Sequence, residues 1–169
     1  MMWLKCAAVV CLAGAVTQVR AEPPNDAARF VIDIEAKSIA SVRVTDSAPQ
    51  LRKRFSASNV VEASEDLEGD PSPIVVIAVD GHKVVKHWNH MSTDDPAFKT
   101  KEGLGAESAL TDFERAYGPA SRGEGEGGWY LNFGTGKNSE FQVRVGNACF
   151  DEQSRLKRDS KCIVKEILL

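Results

Sequence analysis

Three histidines and two aspartates lie close together in the chain, at His82, His87, His90, Asp94 and Asp95. Imidazole nitrogens and carboxylate oxygens are ordinary zinc donors, which makes His87, His90 and Asp94 the candidate metal ligands. The spacing also fits a plainer role. His82 falls at a turn, His87 falls on a strand, and no H-E-x-x-H helix brings two rings together. A solvated strand end accounts for the same residues, and no cofactor is expected. No nucleophile paired with a base is legible, although such pairs form in space and a sequence does not exclude them.

Two other patterns lack the context their chemistry needs. The run from Gly123 to Gly128 contains G-x-G-x-x-G. A dinucleotide site needs a strand before that run and a helix after it, because the helix N-terminus holds the pyrophosphate. Here the order is reversed, and Glu124 and Glu126 would repel phosphate. Ser154 and Lys157 match S-x-x-K, but the companion motifs of that enzyme class are missing. Neither is expected to be catalytic.

Aromatic residues offer a different chemistry. Trp88, Trp129 and Tyr130 sit near predicted strand ends, and the last two follow a glycine loop carrying Glu124 and Glu126. Large aromatics commonly fill cores. They also anchor interfaces, and loops of this kind are where binding tends to reside. Trp88, Glu124, Glu126, Trp129 and Tyr130 are therefore the candidate binding residues.

Compartment narrows the classes of function. Lys5, an apolar run from Cys6 to Val16, and Val19-Arg20-Ala21 have the three parts of a secretory signal peptide over residues 1–21. The apolar run is shorter than the roughly 20 residues a bilayer span requires. Cys6 follows Lys5 and Cys11 follows Val10, so neither suits lipidation. The expected product is a periplasmic or secreted protein beginning near Glu22, with no integral membrane span. That chain is about 148 residues with a net charge of about −5, enough for one core and the wrong sign for nucleic acid. Only Cys149 and Cys162 survive processing. In an oxidising compartment, two such cysteines most simply form one structural disulfide.

The elements that must position these residues follow from pattern. Residues 22–28 read as a flexible leader and 29–169 as a single domain. Strands are predicted at Phe30–Ile34, Ile39–Val44, from Val60, Ile74–Val79, Lys83–Trp88, Trp129–Phe133, Phe141–Val145 and Ile163–Leu168. Ile74–Val79 is apolar on both faces and is expected to be central. Glu62 to Asp70 reads as an acidic turn, Asp80-Gly81 as a hairpin turn, and 89–106 as a long connection. Ser47, Pro49 and Gln50 open one helix in capping-box style. A second helix ends at Gly118-Pro119, with Leu110, Phe113 and Tyr117 on its buried side. A shift of 62 residues places Leu51 on Phe113, Lys53 on Arg115 and Phe55 on Tyr117. The expectation is an α+β fold: an antiparallel sheet with helices on one face, built from a tandem helix-β-β-β repeat over 45–90 and 103–169.

The segment from Lys101 to Gly118, KEGLGAESALTDFERAYG, carries a resemblance. Its glycine–hydrophobic–glycine start, its helix and its aromatic–glycine end resemble the sigma-E-regulated envelope lipoprotein family of proteobacteria, a domain of unknown function. The hairpin from Ile74 to Trp88 and the strand after Cys162 fit that layout. The chain departs from the family in lacking a convincing lipidation cysteine. More distantly, the helix-plus-three-strands duplication is similar to the β-lactamase-inhibitory-protein and outer-membrane assembly lipoprotein type of fold. That resemblance implies binding rather than catalysis. The expected function is an exported, non-enzymatic protein that binds a protein or cell-envelope component. The alternatives are an inhibitor of a peptidoglycan hydrolase such as lysozyme, and a small periplasmic hydrolase or metal-dependent enzyme using the His82–Asp95 region.

Overall fold

Helix and strand boundaries follow local chemistry closely in a computed structural model, which describes residues 29–67, 69–123, 129–134, 141–159 and 161–169. The predicted signal peptide, the predicted leader, and Glu124 and Glu126 of the glycine loop lie outside the described residues. Helix α1 spans Ala48–Phe55. The Ser47 N–H donates to Gln50 Oε1 at 2.8 Å, closing the start that the sequence predicts. Helix α2 spans Leu110–Tyr117. It stops at Gly118, whose φ of 89° is a left-handed value that glycine adopts without steric cost. Each helix is eight residues long, too short to persist alone, so packing must hold both.

Twelve strands occur among the described residues: β1 Val31–Asp33, β2 Ser38–Ile39, β3 Val42–Arg43, β4 Val60–Leu67, β5 Asp70–Val79, β6 His82–Lys86, β7 Met91–Thr93, β8 Lys99–Thr100, β9 Ser121–Gly123, β10 Trp129–Phe133, β11 Phe141–Val145 and β12 Val164–Leu168. They form an eight-stranded sheet in the order β4-β5-β6-β7-β12-β11-β10-β9 and a four-stranded sheet in the order β3-β2-β1-β8. The class is α+β, but the single antiparallel sheet that the sequence predicts becomes two. All pairs are antiparallel except β1 with β8.

Three local expectations change. Glu62 to Asp70 is not a turn: β4 pairs with β5 from Val60↔Ile77 to Leu67↔Asp70. Edge strands tolerate charge because one side needs no partner. The predicted strand Ile39–Val44 breaks into β2 and β3 at Ala40 and Ser41, which have φ of 51° and 64°. The connection over 89–106 contains β7, in the middle of the large sheet, and β8.

The core lies between one face of the large sheet and a layer formed by both helices and the small sheet. Ile32, Ile39, Val42, Leu51, Phe98, Leu110 and Phe113 meet Ile77, Val84, Met91, Leu131, Val143 and Ile167 in one buried cluster. Gly105 permits a close approach under this layer, since a Cβ there would stand 2.3 Å from the Phe98 carbonyl oxygen. Cys149, in a short helical turn at Asn147–Cys149 after β11, forms a disulfide with Cys162, just before β12. Among the described residues, no helix is long and apolar enough to cross a membrane.

Candidate functional site

Period-two alternation gives each strand of the large sheet one core-facing set of side chains and one set on the uncovered face. On the uncovered face a single row crosses all eight strands. Val61 opposes Val76, Val76 opposes Val85, Val85 opposes Ser92, Ser92 opposes Leu168, Leu168 opposes Gln142, Gln142 opposes Asn132, and Asn132 opposes Ser121. The row is aliphatic over β4, β5 and β6 and polar over β11, β10 and β9. A parallel row sets Tyr130 opposite Arg144 and Arg144 opposite Glu166.

This face is curled into a trough. In a flat sheet β4 and β10 would stand six strands apart, roughly 29 Å at about 4.8 Å per strand. Yet the charge of Glu65 on β4 acts on Tyr130 of β10. Glu65, His87, His90, Tyr130, Arg144 and Glu166 all line one open hollow of about 1160 Å³. Glu65 and the turn carrying His87, Asn89 and His90 line one side, and β9–β12 the other.

The trough's polar groups are mostly partnered. Arg144 Nε donates to Glu166 Oε2 at 2.7 Å. Gln142 Nε2 donates to Asn132 Oδ1 at 2.8 Å. His87 Nδ1 lies 2.8 Å from Glu65 Oε1. The His87 and His90 rings stack at 4.0 Å between centroids, with 11° between their planes. Burial, and then the repulsion of Glu166, raise the Tyr130 pKa, while Arg144 opposes the rise. The Tyr130 hydroxyl therefore stays protonated and able to donate at neutral pH.

His90 is the pH-sensitive member. Burial lowers its pKa and the neighbouring His87 lowers it further, against the opposing pull of Glu166 and Glu65. Its folded-state value lies below its unfolded one, so the unfolded chain binds the extra proton first. Stability contributed here is complete above the unfolded value of about 6.5 and declines as the pH falls through it. His90→Gln should flatten that decline in a series of urea midpoints between pH 7.5 and 5. A wild-type midpoint constant across that range would contradict the assignment.

The structure separates several residues that sequence grouped. His82 leaves the other two histidines: its Nδ1 lies 3.0 Å from Asp95 Oδ2, and its ring packs edge-on against Phe30 and Phe98. Asp94 faces Lys83 at 3.8 Å. Among the described residues, no group of three His, Cys, Asp or Glu side chains is placed to hold a metal ion. Tyr130 lines the trough, but its neighbour Trp129 points to the opposite face. There it stacks on Phe150 at 4.2 Å and carries Arg122 over its ring at 4.2 Å. Trp88 sits in the turn between His87 and His90 and is 74% exposed. Ser154 is exposed in the loop between the two cysteines.

Glu65, Asn132, Gln142, Arg144 and Glu166 are trough residues that motif reading passes over. Their signal was present in the alternation of Phe141-Gln142-Val143-Arg144-Val145, whose polar positions define the uncovered face. The curl that brings Glu65 to them was not. Comparison with known proteins adds no relative: no family model, no curated protein and no solved structure matches the chain.

Proposed function

We propose that this chain is an exported, non-catalytic envelope protein whose curled sheet binds part of a macromolecular partner. The observation that carries the reading is the uncovered row across eight strands, half aliphatic and half polar, whose β9–β12 part lines an open hollow of about 1160 Å³. An uncovered face with grouped aliphatic side chains is the usual mark of a recognition surface. Trp88 stands exposed on the turn beside it, where an aromatic anchor carries much of an interface's energy. The likeness of Lys101–Gly118 to the sigma-E-regulated envelope lipoproteins supports the same role by analogy. The predicted signal peptide and the Cys149–Cys162 bond support a periplasmic or secreted setting.

Crosslinking and pull-down of the mature protein from envelope extract tests the reading. The mass of the natural product should begin at Glu22. A saturable partner is expected, and Trp88→Ala should weaken its capture by roughly 30-fold, about 2 kcal/mol. The same variant should unfold within about 0.5 kcal/mol of wild type, because the indole is exposed. Capture indifferent to Trp88→Ala would remove the trough turn from the interface. Titration against lysozyme separates the inhibitor alternative. Turnover of a substrate that is abolished by His87→Ala would favour the enzyme alternative, which the His87–Glu65 and His82–Asp95 pairs support.

The tandem duplication belongs to the same proposal. The two helices span positions 62 residues apart along their whole length, and the large sheet has the same helix-then-meander order read inward from either edge. Homologous sequences should then align Leu51 with Phe113 and Phe55 with Tyr117. Relatives whose halves fail to align at those positions would count against it.

A further inference from the structure

The two edges of the large sheet differ. β9 is three residues long, whereas β4 is eight. The outer side of a long edge strand presents a row of main-chain N–H and C=O groups, a template for another strand. Proteins usually blunt such edges with proline, a bulge or a covering segment. β4 has no proline and pairs with β5 without a register shift. Among the described residues, no strand pairs with its outer side. What remains to control the edge is its side chains. Toward the trough, Val61 is 55% exposed, and Ala63 is exposed beside it. Toward the other face stand Glu62 and Asp66, both exposed. Glu62 Oε2 accepts from Arg52 Nη2 at 3.0 Å, a surface pair that an incoming cation can exchange with. Asp66 Oδ1 accepts from the Gly69 N–H.

These side chains select among partners. A second copy pairing antiparallel about Ser64 would set Glu62 against Asp66, and like charges directly opposite each other destabilise a sheet. A strand carrying Lys or Arg at those positions gains from the same contacts. The excess of acidic over basic residues in the whole chain steers a basic partner toward it. We propose that β4 is a strand-addition site for a basic, extended segment of another protein, with an aliphatic or aromatic residue opposite Val61 and cationic residues opposite Glu62 and Asp66. Main-chain hydrogen bonds supply the affinity and the alternating side chains the selectivity. This site uses the main-chain edge of β4 rather than the hollow over β9–β12, and shares Val61 with the uncovered row.

The test uses the full mature protein and three synthetic ten-residue peptides. One alternates Lys and Val, one alternates Glu and Val, and one is the Lys–Val peptide N-methylated at every second residue. The Lys–Val peptide should slow amide hydrogen exchange across residues 60–67, and the other two should not. Glu62→Lys with Asp66→Lys should weaken the Lys–Val peptide about tenfold and improve the Glu–Val peptide. Unchanged exchange over 60–67 would overturn the proposal. So would equal protection by the N-methylated peptide, since that places binding in charge alone. Concentration-dependent protection of 60–67 without peptide would assign the edge to a second copy and overturn it as well.

Discussion

Phe113→Ala is expected to lower the unfolding free energy by about 3–5 kcal/mol, read as a shift in the urea midpoint at unchanged slope. Phe113 is fully buried and meets the rings of Phe133 at 5.9 Å, Phe141 at 6.3 Å and Tyr117 at 6.1 Å. Removing it leaves a void that these rings cannot close. Phe133 and Phe141 stack directly opposite each other on β10 and β11, each fixed by its strand. The loss also reaches the trough, because Gln142 and Asn132, beside those two phenylalanines on the same strands, hold its polar wall. Phe113→Leu keeps most of the volume and should cost much less. A loss under about 1 kcal/mol for the alanine variant would mean that α2 does not clamp this half of the sheet.

Reduction of the Cys149–Cys162 bond should cost about 3 kcal/mol, the entropy returned to the unfolded chain when a loop of this size opens. For a domain of this length that corresponds to a fall in melting temperature of roughly 6–12 °C. The double variant Cys149→Ala with Cys162→Ala should match the reduced protein. Both sulfurs are buried, so reduction should be slow until the chain is loosened. The loop keeps other ties: Arg158 Nε donates to both carboxylate oxygens of Glu114 at 2.9 Å, and the Lys157 N–H donates to the Cys149 carbonyl at 2.7 Å. Trp129 rests on Phe150, the residue after Cys149, so its fluorescence should report the change. An identical melting temperature with and without reductant would mean that the bond contributes nothing to holding β11 beside β12.

Several features of the fold needed only neighbouring residues to specify them. Ser47, Pro49 and Gln50 start α1, and Gly118 with Pro119 ends α2, because caps act within one turn of the chain. Asp80 and Gly81 make the β5–β6 hairpin because both adopt positive φ, which that turn requires. The strands Ile74–Val79 and Phe141–Val145 announced themselves by composition and alternation. The disulfide was expected from the two cysteines that lie beyond the predicted signal peptide.

Other features depend on groups far apart in the chain, and no local pattern encodes them. β7 is three buried residues whose strand character comes from lying between β6 and β12. β4 reads as an acidic turn because an edge strand with exposed side chains need not alternate. Trp129 and Tyr130 looked like one aromatic pair, but one step along a strand sends them to opposite faces. The grouping of His82 with His87 and His90 failed for a similar reason. His82 turns toward Phe30 and Phe98, while the stacked pair turns toward Glu65. By itself the sequence determined where the chain turns, caps and alternates, since those are contests among adjacent groups. Only the tertiary structure decided which polar residues share the trough, because sheet curl is set by packing against two helices and a second sheet.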